Sequence, residues 1–96
     1  MNLSDRPAPA SADEALQRRI EAVWRIESAK IIGAVARMVR DVGLAEDLAQ
    51  EALVAALERW PRDGVPQNAG AWLMATARNR ALDGLRQEVE SKPKKP

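Results

Sequence analysis

Asp47, Glu51 and Glu58 are the side chains whose spacing could do chemistry. Separations of four and seven residues set them on one face of a helix, with Gln50 and Val54 beside them. Carboxylates one turn apart can hold a divalent cation or accept charge-assisted hydrogen bonds from a basic partner. The first use needs a further acid from another element, and none argues for converging on this face. The chain has no cysteine and no histidine, which removes thiolate chemistry, the usual general base and the commonest metal ligand. No enzyme activity, metal or cofactor is therefore expected. A solvated helix face and a face that docks on a basic partner both fit the acidic arc. Neither Asp47 nor Glu51 has a basic side chain four residues further on, the pairing a helix built for its own stability would use.

A second constellation follows. Trp72, Thr76, Asn79, Asp83 and Arg86 fall together on the polar side of a later helix, with Arg78 and Arg80 nearby and Arg62, Gln67 and Asn68 in the stretch before it. An indole among arginines offers a surface on which bases stack, worth about 1–3 kcal/mol per base. The same tryptophan could instead pack on the preceding loop. Arginines on such a face hold phosphates, and the amides of Gln67 and Asn68 can hydrogen-bond a base edge.

The elements that must position these residues are three helices. Ser11 and Glu14 have capping-box spacing and open a pattern of Leu16, Ile20, Val23, Ile31, Val35 and Val39 at steps of three and four, broken at Glu27. The first helix is expected to run to about Arg40 and to end through Gly43. The second is expected from about Leu44 to Trp60, where Pro61 should stop it. Its buried side is Leu48, Ala49, Ala52, Leu53, Ala56 and Trp60. The segment "PRDGVPQN" reads as a loop, and Asn68 as the N-cap of a third helix over residues 69–89. There the stripe Leu73, Met74, Ala77, Ala81 and Leu85 should be buried. No segment alternates with period two, so no strand is expected.

A chain of 96 residues is one small domain with a compact core. The expected fold is all-α, a compact three-helix bundle over residues 12–88, with flexible tails at 1–11 and 89–96. The net charge is +1, but residues 16–40 carry six basic side chains against two acidic ones, residues 41–58 five acidic ones and no base, and residues 59–86 five basic against two acidic. An acidic element between two basic ones suits neighbouring helices that pair, or a protein that meets a basic surface with one face and nucleic acid with another. No secretion signal and no apolar run near the roughly 20 residues of a membrane span is present. The expected location is the cytoplasm.

"AEDLAQEALVAALERWP", a loop, and then "AWLMATARNRALDGLR" resemble region 2 of sigma-70 family factors of the extracytoplasmic-function group. In these an Asp-x-x-Gln-Glu helix precedes a Trp-Leu…Ala-Arg-Asn…Asp-x-x-Arg helix. The resemblance spans residues 16–86, and the junction "ERWPRDGVPQNAGAWL" is similar to a subgroup carrying a long C-terminal helical-repeat extension. It implies that Asp47, Gln50 and Glu51, flanked by Val54 and Glu58, dock on the clamp helices of the largest catalytic subunit of RNA polymerase. It further implies that the loop at residues 61–68 captures a flipped base of the minus-ten non-template strand, while the last helix holds the adjacent DNA. On that basis Arg62, Gln67, Asn68, Trp72, Thr76, Asn79, Arg80 and Arg86 are the expected promoter contacts. Trp72 matches the first of the two wedge tryptophans of primary sigma factors and Leu73 stands at the second, so the wedge is reduced. An anti-sigma factor or the factor's own C-terminal extension is a further implied partner. Reading the minus-thirty-five element takes a second helix-turn-helix domain, which nothing after Arg86 provides; complete initiation activity is not expected of these residues alone. The other expectation kept open is a helical interaction module or sigma-like decoy that binds polymerase or a regulator without reading DNA.

Overall fold

The computed structural model describes residues 12–91, with side chains through residue 88. Three helices, α1 (Ala12–Val39), α2 (Val42–Asp63) and α3 (Ala69–Ser91), form an all-α bundle, and no strand occurs among the described residues. Successive helices run antiparallel, since the start of α1 meets the end of α2 around Ile20 and Pro61, while Val39 lies beside Leu44 and Leu85 at the other end. The proposed cap Ser11 and the tail 1–11 lie outside the described residues. So does most of the expected C-terminal tail, although α3 continues two residues past Val89, the expected end.

The core is built on small residues. Ile20, Ile31 and Val35 of α1 meet Ala45, Leu48, Ala49, Ala52, Ala56 and Trp60 of α2 and Leu73, Ala77 and Ala81 of α3. Alanines at the contact let the helix axes approach closely, and Trp60, the largest fully buried side chain, fills the core at the end of α2 before the 64–68 loop. Met74 is only partly buried, and Leu85, expected in the stripe, is 37% exposed at the end of the bundle where it borders an open hollow with Val39, Leu44 and Leu48.

Two helix boundaries differ from expectation. Gly43 does not end α1. Arg40 does so, adopting the left-handed conformation at φ 57° while its N–H donates to the Ala36 carbonyl at 2.7 Å. Asp41 then caps α2, its Oδ1 accepting the Leu44 N–H at 3.0 Å, and Gly43 falls inside the first turn. Likewise Pro61 does not stop α2, which runs on to Asp63. A proline removes only its own N–H and frees one carbonyl four residues back. In the last turn, where carbonyls are already leaving the ladder, this is tolerable. The helix ends instead at Gly64, whose φ of 89° suits only glycine well and whose N–H donates to the Trp60 carbonyl at 2.9 Å. The loop before α3 is thus residues 64–68, shorter than the expected 61–68.

Candidate polymerase-docking and nucleic-acid surfaces

The acidic arc of α2 is where the wheel puts it. Asp47, Gln50, Glu51, Val54 and Glu58 are all exposed, Val54 at 50%. An apolar residue half open to water amid carboxylates gives the face a contact patch as well as charge. Gln50, Glu51, Val54, Ala55 and Glu58 line a shallow hollow of about 370 Å3 whose far wall is Arg80 of α3.

Arg80 corrects one expectation. The arc is not without a basic partner, since Arg80 Nη1 stands 3.9 Å from Glu51 Oε1 across the groove between α2 and α3. With both side chains about half exposed, the pair contributes on the order of 0–1 kcal/mol. The contact sets Arg80 beside the acidic face of α2.

The expected DNA contacts divide into four groups. Gln67 and Asn68 line an open hollow of about 570 Å3 between α1 and the first turn of α3, whose α1 side is Val23, Ile26 and Glu27. Asn68 also caps α3 as expected, its Oδ1 accepting the Ala71 N–H at 3.0 Å. Trp72 is not the exposed indole that its polar-side position suggested. It is partly buried, packed edge-on against Trp60 with ring centroids 5.2 Å apart at 67°. The helix wheel put it on the polar side, but the large ring of Trp60 in the core gives it a packing partner there. Thr76 is also partly buried and donates its hydroxyl to the Trp72 carbonyl at 2.8 Å, so its O–H already has a partner. Asn79 and Arg86, seven residues apart, are exposed on one stripe of α3, and Arg62 is exposed in the last turn of α2.

The hollow brings in residues the sequence reading did not nominate: Val23, Ile26, Glu27 and Gly70. Their signal was the break in the α1 stripe at Glu27. That carboxyl lies so close to Gly70 that a Cβ there would stand 2.7 Å from its Cδ. Glycine at position 70 is what admits the side chain. Among the described residues no three acidic side chains gather as a metal site requires, and no helix is long and apolar enough to cross a membrane.

Two comparisons place this geometry. An uncharacterized protein of Rhizobium meliloti (strain 1021) is 42% identical over 57 residues, a stretch covering 59% of this chain and 14% of that protein, so the chain spans a small part of its relative's length. No solved structure matches the chain significantly. The model of sigma-70 region 2, a module of transcription factors and not an enzyme family, matches residues 23–90, from the middle of α1 to the end of α3. The chain, three antiparallel helices with an acidic face on the second and an open hollow at the start of the third, belongs to the sigma-70 region 2 family.

Proposed function

We propose that the chain is the region 2 module of a sigma factor of the extracytoplasmic-function group, docking on the RNA polymerase clamp through α2 and engaging the minus-ten element of promoter DNA through the 64–68 loop and α3. The observation that carries this reading is the exposure of Asp47, Gln50 and Glu51 on one face of α2 within a chain that matches sigma-70 region 2. On the clamp, Glu51 and Asp47 accept charge-assisted hydrogen bonds from basic side chains, Gln50 adds a neutral one, Val54 supplies apolar contact, and Glu58 extends the acidic field one turn further.

DNA is held and read by different groups. In this reading the exposed Arg62, Arg86 and Asn79 meet phosphates, while Gln67 and Asn68, which line the open hollow at the start of α3, meet a base withdrawn from the stack. In this reading Trp72, partly buried against Trp60, shapes this end of the bundle, and the wedge stays reduced because Leu73 stands where the second tryptophan would be. Thr76 supports the same turn through the Trp72 carbonyl. The subgroup with a C-terminal helical-repeat extension is supported by the junction "ERWPRDGVPQNAGAWL". An anti-sigma factor or such an extension is the regulatory partner this reading implies, and the cytoplasm is where polymerase would be met.

The test is capture of core polymerase by the chain, followed by crosslinking from position 67 to a promoter whose non-template strand is melted. Crosslinks confined to the minus-ten non-template strand are expected. Capture of polymerase without any crosslink would favour an interaction module that does not read DNA, and failure of capture would remove the docking assignment.

A further inference from the structure

The outward face of α1 carries a pattern of charge that neither the acidic arc of α2 nor the loop before α3 uses. Arg18, Arg25, Lys30 and Arg37 are exposed, and among the described residues none of them forms an ion pair. They flank Ala22, Ile26, Ala29 and Gly33, which recur at steps of four, three and four, the spacing of d and a positions in a heptad. All four of these are exposed as well, Ile26 at 71%, more than any other large apolar side chain described. The buried residues of the same helix, Ile20, Ile31 and Val35, lie on its opposite side. With alanine at d and Ile26 and Gly33 at a, the four cations fall at e and g; the other e and g positions of this stretch hold Val23 and Ile32, which pack against the core. No acidic side chain stands at any a, d, e or g position from residue 18 to residue 37. Gly33 adds a separate observation. Glycine inside a helix is destabilising relative to alanine, yet a Cβ at position 33 would meet nothing within 4 Å, so packing within the chain does not call for it.

We propose that this face of α1 is the docking surface for an acidic amphipathic helix of another protein, apolar along one seam and carrying glutamate or aspartate on both sides of it. The acidic side chains pair with Arg18, Arg25, Lys30 and Arg37, while larger apolar side chains of the partner lie over Ala22, Ala29 and Gly33, where the absence of bulk lets the two helix axes come close. Ile26 is the one large knob this chain contributes. Four cations of one sign select the partner, since a basic helix is repelled and a neutral one gains no pairing. A second copy of the chain fits poorly. Its own α1 would bring cation against cation, and its α2 arc offers Val54 as its one apolar side chain and would build an open chain of subunits rather than a closed pair. A phosphate backbone would use the cations but gain nothing from an exposed isoleucine set between them. The face shares no residue with the acidic arc of α2, and only Ile26 with the hollow at the start of α3.

The probe is a labelled synthetic peptide of about four heptads with leucine at a, alanine at d and glutamate at every e and g, titrated with the full chain and read by fluorescence anisotropy. The same peptide with lysine at e and g, and a labelled oligothymidine, are titrated beside it. The wild-type chain is expected to bind the glutamate peptide at least about tenfold more tightly than the lysine peptide, with affinity falling as salt rises. Arg18→Glu, Arg25→Glu, Lys30→Glu and Arg37→Glu together should reverse that preference, whereas Arg18→Lys, Arg25→Lys and Arg37→Lys together should keep it. Ile26→Ser should weaken binding of the glutamate peptide by roughly tenfold or more through the lost apolar contact. All these side chains are exposed, so helical circular dichroism and capture of core polymerase should be the same in every variant as in the wild type. A wild-type chain that does not prefer the glutamate peptide overturns the docking surface, whatever polymerase does. A preference that survives the four charge reversals overturns it too, since the peptide then sits elsewhere. Oligothymidine binding that the reversals abolish, in a chain that ignores the glutamate peptide, would give the face to nucleic acid instead.

Discussion

At the scale of the residue, Glu51 shows how a side chain can be placed by one neighbour and used by another. Its contact with Arg80 at 3.9 Å, both partners exposed, is too weak to hold the bundle together, so replacing it tests docking with little disturbance of the fold. Gln50→Ala with Glu51→Gln should lower affinity for core polymerase by at least about tenfold while unfolding stability moves by no more than about 1 kcal/mol. Titration calorimetry with core polymerase and thermal melting of the free chain check the two halves. Equal affinity of the double variant would remove α2 as the docking face. Glutamine is preferred to lysine at position 51 because a lysine would stand against Arg80 and mix repulsion with loss of docking. The acidic arc was legible in the sequence because exposure on a helix follows from its period. The partner across the groove was not, because pairing between helices depends on how they are rotated against each other. Glu27 was visible only as an interruption of an apolar stripe, and its meaning required knowing that a glycine faced it.

At the scale of the element, helix order and the buried side of α2 follow from spacing, whereas the ends follow from which local conformation costs least. Gly43 was the obvious terminator, yet Arg40 takes the left-handed position because Asp41 can then cap the next helix. That arrangement leaves a residue with a Cβ where glycine is favoured. Arg40→Gly should therefore raise stability by up to about 1 kcal/mol, measured by chemical denaturation. The opposite holds for the caps: Asp41→Ala and Asn68→Ala should each cost about 1 kcal/mol, and a smaller loss at position 68 would show that the α3 start is fixed by the packing of Gly70 rather than by its cap. Trp60 presents two opposed terms. It is 2% exposed, but among the described residues its indole N–H has no acceptor. Trp60→Ala should cost about 3–5 kcal/mol through lost packing. Trp60→Phe should cost much less, because the smaller ring also removes a buried donor whose lack of a partner costs about 1–3 kcal/mol. A phenylalanine variant as unstable as the alanine one would mean that the N–H is satisfied in solution. Trp72, legible as an indole but misplaced as an exposed one, owes its position to this same ring.

At the scale of the whole molecule, the hollow beside the acidic arc and the hollow at the start of α3 share no residue, and each uses a different pair of helices: α2 with α3 for the first, α1 with the start of α3 for the second. Binding at one therefore need not block the other. Their common element is α3, which carries Arg80 on the acidic side and Asn79 and Arg86 on an exposed stripe. The blocks of charge in the sequence suited a two-faced reading of this kind, but they could not say that Arg80 would stand beside Glu51. The consequence is a difference between arginines under salt. An arginine that neutralises a phosphate releases a counterion, so Arg86→Ala and Arg62→Ala in the polymerase-bound chain should weaken promoter binding alike for all sequences. Each should reduce the slope of log affinity against log salt by about one. Arg80→Ala should leave that slope nearly unchanged and instead alter affinity for core polymerase in the absence of DNA, since its partner is Glu51. Fluorescence anisotropy of a labelled melted promoter, titrated at several salt concentrations with each variant bound to core polymerase, reads both quantities. A loss of slope in Arg80→Ala equal to that in Arg86→Ala would mean that Arg80 leaves Glu51 when DNA arrives, and that the two faces are linked through α3 after all.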